Sequence, residues 1–200
     1  TDSLVVCGTT GESPALTAKE KEELLSFTIE TVNKRIPVIA GTGSNATAES
    51  IESTITAERV GVDGIMLVTP YYNKPDQKGL YAHFSTIGEE TSLPVLLYNI
   101  PGRSVINMLT ETTIALSKVK NIRAIKEASG DLEQMANIIA GTDDSFAVYS
   151  GDDALTLPLL AIGGNGVVSV AAHVVGNEMQ KMVTAFGEGR TKEAAAMHRA

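Results

Sequence analysis

Seven short apolar runs punctuate this chain, and they constrain its fold more than any other feature. They are LVVCG (4–8), PVIAG (37–41), GIMLVT (64–69), PVLLYN (94–99), IRAIKEA (122–128), FAVYSG (146–151) and GVVSV (166–170). Each is short and bounded by turn residues, which marks a strand rather than a helix. Between them lie stretches with helical spacing of apolar residues, at 18–35, 47–60, 77–91, 110–119, 131–141, 153–162 and 174–187. Strands that are apolar on both faces and alternate with helices predict an α/β fold with a helix-covered parallel sheet. An open doubly wound sheet and a (β/α)8 TIM barrel both permit this order. Seven regular units without interruption favour the barrel, with one unit missing. Local signals agree. Thr17 and Glu20 form a capping-box pattern, Thr47 and Thr110 are predicted N-caps, and Gly61 and Gly141 sit where helices should stop.

Totals narrow the function. Two hundred residues without a linker or low-complexity segment suit one core. A net charge of −8 argues against a nucleic-acid groove or an anionic membrane partner, so a small anionic substrate needs local positive groups. Cys7 is the only cysteine, which leaves no internal disulfide and no thiolate metal cluster, and its apolar neighbours predict a buried, inert thiol. His83, His173 and His198 lie far apart without metal-ligand spacing. No apolar run reaches the roughly 18 residues of a membrane span and no signal peptide opens the chain, so the expectation is a cytoplasmic protein. The chain starts without Met inside a predicted strand, and is expected to be a stretch of a longer protein.

The sharpest single residue is Lys126, near the end of the fifth predicted strand. By the period-2 rule Ile122, Ala124 and Lys126 share one face. An ordinary lysine, with a pKa near 10.4, is neutral in only about 1 of 2,500 molecules at pH 7. Burial among apolar groups disfavours the ammonium, and a neutral strand-end amine attacks carbonyls to form a Schiff base. The plainer alternative is a solvated or paired lysine. Other segments bear on the choice. GTTGES (8–13) offers hydroxyls and backbone N–H groups from Thr9 and Thr10, which suits a small carboxylate. GTGSNA (41–46) nominally fits a dinucleotide fingerprint, but the next strand ends in LVTPYYN without the acid that a ribose requires, so a tight turn explains the glycines better. YNIPGR (98–103) supplies Tyr98, able to relay a proton, and Arg103, able to bind a carboxylate. In SGDD (150–153), Gly151 allows close approach of a ligand, and Asp152 or Asp153 caps the next helix. Thr9, Thr10, Tyr72, Tyr98, Arg103, Lys126, Gly151 and Val168 all fall at or just beyond predicted strand C-terminal ends. In a barrel those ends form a single rim, where active sites sit.

With GTTGES, AGTGSNAT, VTPYYNKP, LLYNIPGRS, IKEASGD, YSGDD and GGNGVVSV in place from Leu4 to about Ala200, the chain resembles the dihydrodipicolinate synthase branch of the class I pyruvate aldolases. That family also holds N-acetylneuraminate lyase. The resemblance implies a Schiff base between Lys126 and pyruvate, which condenses with L-aspartate 4-semialdehyde to 4-hydroxy-tetrahydrodipicolinate in lysine and diaminopimelate biosynthesis. It implies no metal and no organic cofactor. Tyr98, Thr10 and Tyr72 would form a proton relay, with Tyr72 reaching into the adjacent subunit's site. Thr9 and Thr10 would hold the pyruvate carboxylate, Arg103 the semialdehyde carboxylate, and Val168 and Gly151 would line the pocket. The alternatives are a sister aldolase for sialic acid or 2-keto-3-deoxy sugar acids, and a catalytically silent carboxylate-binding barrel. Those sister loops generally lack the Gly-Arg that follows YNIP here as Gly102 and Arg103. The family's chain is longer, so the implied architecture is a barrel domain over 1–187 lacking its first βα unit, with 188–200 opening a C-terminal helical region. A homo-oligomer, commonly a dimer of dimers, is implied as well. Asn45, Glu49 and Tyr71 match a lysine effector site at the dimer interface. Ala18 and Lys21 replace histidines of the inhibited members, which implies weak or no lysine inhibition.

Overall fold

The computed structural model describes residues 1–200. Its seven strands are β1 (Leu4–Val6), β2 (Val38–Gly41), β3 (Gly64–Val68), β4 (Val95–Asn99), β5 (Ile122–Glu127), β6 (Ala147–Ser150) and β7 (Gly166–Val167). All neighbours pair in parallel and in strict sequence order, β1 to β7, so the sheet is a curled ribbon with β1 and β7 as its free edges. The intervening helices are α1 (Ala18–Val32), α2 (Thr47–Val60), α3 (Gln77–Glu89), α4 (Pro101–Ser104), α5 (Thr110–Leu116), α6 (Leu132–Gly141), α7 (Thr156–Ala161), α8 (Ala172–Gly187) and α9 (Thr191–His198). Short 3₁₀ turns at Ser13–Ala15 and Asp153–Leu155 complete the chain.

The strands are apolar on both faces because both faces are covered. Ile65, Leu67, Leu97, Ile125 and Val148 point outward and pack with Phe84, Leu80, Met135 and Ile138 of the helices. Met66, Leu96, Tyr98 and Ala124 point inward and form a second, smaller cluster with Val5, Ile39 and Val168 around them. One strand departs from strict alternation. The β4–β5 register shifts between Val95 and Leu96, which pair with Ile122 and Ala124. The extra residue, Arg123, is a β-bulge, and it turns Ile122 outward into the helix-facing core. Ile122 therefore does not share a face with Ala124 and Lys126.

The Thr17–Glu20 capping box forms in full. Thr47 and Thr110 are instead the first residues of their helices, preceded by Ala46 and Leu109 without side-chain caps. The Thr47 hydroxyl is drawn off to His83 Nδ1, 2.9 Å away. Gly61 ends α2 as predicted, whereas Gly141 is still helical and α6 stops at Thr142. Cys7 is buried.

Candidate active site

The register sets Lys126 of β5 opposite Tyr98 of β4 on one side and Tyr149 of β6 on the other. Its side chain points into the curl, and the residue is only 9% exposed. The Lys126 Nζ lies 3.9 Å from the centroid of the Tyr98 ring. A cation over an aromatic face is favourable, so the resting ammonium has a seat inside an otherwise apolar wall. Gly151 makes room for it. A Cβ at that position would stand 3.1 Å from Lys126 Cε and 2.7 Å from Ala128 Cβ. Burial lowers the Lys126 pKa to about 8; the Asp153 carboxylate opposes this and the Arg103 guanidinium adds to it. An amine with that pKa is neutral in about one molecule in ten at pH 7, which makes it a usable nucleophile.

Tyr98 is 3% exposed, and burial raises its phenol pKa, opposed by the Thr9 side chain beside it and by Arg103. The phenol therefore holds its proton at neutral pH and can donate it. Arg103 sits on α4, exposed, with its charge felt by both Lys126 and Tyr98. Val168 packs beside the inner cluster that holds Tyr98, and its N–H donates to the Ser150 carbonyl at 2.9 Å. The structure thus gathers Lys126, Tyr98, Thr9, Arg103, Gly151 and Val168 at one end of the curl. Thr10 follows Thr9 in the same loop and is exposed. Tyr72 is not gathered there: it is 88% exposed and held at φ 71°, a left-handed conformation that a bulky residue rarely adopts. Asn45 and Tyr71 lie in the loops after β2 and β3, joined where Asn73 Nδ2 donates to the Asn45 carbonyl at 3.1 Å, and Glu49 lies in the first turn of α2. Ser44 donates to Glu49 Oε2 at 2.9 Å.

The glycines of GTGSNA have a packing explanation. A Cβ on Gly43 would lie 2.5 Å from the Val68 nitrogen, and one on Gly41 would meet the Cys7 carbonyl. The turn is pressed between β1 and β3.

Two features escaped the sequence reading. Asp152 is the cap of the two candidates, its Oδ1 accepting from the Ala154 N–H at 2.9 Å, whereas Asp153 accepts from the N–H groups of Val170 and Ala171 through Oδ2, while its buried Oδ1 has no partner. Behind Lys126, on the helix side of β5, Glu127 is fully buried within a set of amide side chains. The signal was present: an acid next to Lys126 in a strand apolar on both faces must be buried on the other side. No group of three or more His, Cys, Asp and Glu side chains converges as a metal site would need. No helix is long and apolar enough to cross a membrane.

Comparison with known proteins is decisive at this point. The model of the dihydrodipicolinate synthetase family matches residues 1–200. The chain belongs to that family. A 4-hydroxy-tetrahydrodipicolinate synthase of Bacillus velezensis is 61% identical over 198 residues, a match covering 99% of this chain and 68% of that one. Dihydrodipicolinate synthase from Bacillus anthracis superposes with a TM-score of 0.98 at 56% identity, over 100% of this chain and 68% of that one. The enzyme of Cyanidioschyzon merolae, solved with lysine bound, superposes with a TM-score of 0.97 at 52% identity, over 98% of this chain and 67% of that one. Members of the dihydrodipicolinate synthetase family therefore share the curled seven-stranded sheet described above.

Proposed function

We propose that this chain carries the active site of a 4-hydroxy-tetrahydrodipicolinate synthase, a lyase-type aldolase that condenses pyruvate with L-aspartate 4-semialdehyde. The single observation behind the chemistry is the buried Lys126 amine seated on the Tyr98 ring, with its pKa lowered to about 8. The synthase relatives at about 60% identity support the same activity and lend none to the sister aldolases or to a silent barrel.

The neutral Lys126 amine adds to the pyruvate ketone, and loss of water gives the imine. The imine draws electrons from the methyl group, a methyl proton leaves, and the resulting enamine carbon attacks the aldehyde. Tyr98 gives a proton to the carbinolamine oxygen that leaves as water, and to the aldehyde oxygen as the new bond forms. The relay through Thr10 and Tyr72 of an adjacent subunit restores its proton and carries away the one lost from the methyl group, with the Thr9 hydroxyl beside it. Thr9 and Thr10 hold the pyruvate carboxylate, Arg103 the semialdehyde carboxylate, and Gly151 and Val168 shape the pocket. The substrate's amine then displaces Lys126 and closes the ring. Exposed Tyr72, constrained in a left-handed conformation, supports a homo-oligomer in which it is covered, a dimer of dimers. The free edges of β1 and β7 support closure of the barrel by an eighth βα unit in the whole protein, with residues 188–200 opening a C-terminal helical region. A cytoplasmic place in lysine biosynthesis goes with this reading.

The test is intact mass after mixing the full-length protein with pyruvate and borohydride. A stable pyruvate adduct, lost in Lys126→Ala, is expected. Folded protein without an adduct would overturn the Schiff-base mechanism.

A further inference from the structure

Glu127 follows Lys126 in β5 and points the opposite way, into the space between sheet and helices. Every polar contact it makes there comes from a donor. Asn99 Nδ2 lies 3.1 and 3.0 Å from its two oxygens, the Ser129 N–H donates at 2.7 Å, and Gln134 Nε2 donates at 3.1 Å. No lysine or arginine pairs with it. A carboxylate is an acceptor only, so it satisfies all of these donors in a way that no neutral side chain of its size can.

The same amides run on into the loop that follows β4. Asn99 Oδ1 accepts from the Met108 N–H at 3.0 Å. Asn107 Oδ1 accepts from Asn99 at 2.7 Å, and Asn107 Nδ2 donates to Gln134 Oε1 at 2.7 Å. Gln77 reaches in from α3, donating to the Asn107 carbonyl at 2.8 Å and accepting from the Leu109 N–H at 3.0 Å. Residues 99 and 107–109 are thereby fixed at both ends of the loop. Between them hangs α4, whose Ser104 hydroxyl ties Ile100 to Ile106 and which carries Arg103. The exposed Arg103 side chain has no hydrogen-bond partner of its own, so the backbone of α4 sets the point from which the guanidinium reaches.

We propose that Glu127 is a positioning residue for the second substrate: its carboxylate, acting through Asn99, Gln134 and Asn107, sets the loop 100–109 and hence the distance from Arg103 to Lys126. The proposal rests on the reading above, in which Lys126 takes the keto acid and Arg103 the carboxylate of the aldehyde. It separates the two half-reactions, because the network leaves the pocket face of β5 untouched while it fixes the loop.

Glu127→Gln keeps the volume and sets an NH2 against at least one of the existing N–H donors. In the full-length enzyme, trapping of pyruvate by borohydride should stay within about twofold of the unaltered protein, while KM for the semialdehyde rises about 10- to 100-fold, the range expected for a group misplaced by about 1 Å. Adding Glu127→Gln to Arg103→Ala should raise KM little beyond Arg103→Ala alone, since both act on one contact. Where Glu127→Gln does not fold by circular dichroism, Asn107→Ala makes the same test in weaker form, because it removes the Asn107 contacts to Asn99 and Gln134, keeps the Asn99–Met108 link, and leaves the carboxylate with its own donors. An equal loss in both half-reactions, or an unchanged KM beside an impaired Arg103→Ala enzyme, overturns the positioning role. If Arg103→Ala itself leaves KM unchanged, the Arg103 assignment fails first, and the role of Glu127 falls with it.

Discussion

Replacing Gly151 by alanine adds one methyl group at the tightest point of the site. The new carbon would lie 2.7 Å from Ala128 Cβ, about 0.8 Å inside the roughly 3.5 Å at which two carbons meet without repulsion. It would also lie 3.1 Å from Lys126 Cε and 3.2 Å from Cγ, each a few tenths of an ångström too close. Ala128 Cβ is fixed to the backbone, and the Gly151 N–H donates to the Glu127 carbonyl at 2.8 Å, which holds β6 against β5. The Lys126 stem is the softer neighbour, so it gives way. Overpacking of this size costs about 1–3 kcal/mol of stability, and a reacting atom displaced by about 1 Å loses roughly 100-fold in rate. The assay is the rate of adduct formation with pyruvate and borohydride, followed by intact mass. Gly187→Ala is the matched control, since a Cβ there meets nothing within 4 Å. A Gly151→Ala protein that is folded and traps pyruvate at the unaltered rate would refute the reasoning, because the Lys126 stem would then be free to move without effect.

Other outcomes follow from the same wall. Only the neutral amine attacks, so the trapping rate should climb about tenfold per pH unit at low pH and level off near the Lys126 pKa of about 8; Asp153→Asn, which removes the charge that holds this pKa up, should move the break to lower pH. A profile still climbing past pH 10 would contradict both. Lys126→Met should stabilise the fold against urea by about 2 kcal/mol at pH 7, roughly 3 from the released ammonium less about 1 for its seat on Tyr98. The sign is fixed by the lowered pKa: the penalty is fully present below about pH 8 and disappears as pH rises through the unfolded value, so the gain should vanish in strong base. If the effector site is the one the family resemblance implies, Lys21 replaces a histidine there and its cation disfavours an ammonium-bearing effector, so lysine should inhibit weakly or not at all; half-inhibition at sub-millimolar lysine would sink that expectation.

The sheet was legible because each strand carries apolar residues on both faces and each ends in a turn signal, so the rim residues other than Tyr72, which stands out in solvent, could be placed from strand ends alone. Lys126 and Tyr98 were legible for the same reason: two reactive side chains at equivalent points of adjacent units have to meet in a parallel register. What stayed hidden depends on partners distant in the chain. Glu127 reads as an ordinary acid until Asn99, 28 positions away, is seen donating to both of its oxygens. The outward turn of Ile122 depends on the Arg123 bulge, and strand periodicity has no symbol for an extra residue. Thr47 has the chemistry of a cap and lies at a helix start, but His83 claims its hydroxyl, and only the packing of α2 on α3 brings the two together. Sequence could not choose between Asp152 and Asp153 as the local cap: Asp152 takes that role, and the partners of Asp153, the N–H groups of Val170 and Ala171, belong to the next strand's loop.

The adjacency of Lys126 and Glu127 also bears on how the sheet assembles. A slip of β5 by one residue would exchange the two faces of the strand. The ammonium would then enter a chamber furnished with N–H donors, and the carboxylate would lie on the electron-rich face of an aromatic ring. Each is a buried charge facing its own sign, a situation that costs several kcal/mol. Two neighbouring side chains of opposite charge therefore act as a lock on alignment: the misaligned chain, although it keeps every apolar residue buried, is rejected before it can become a folded but inert barrel.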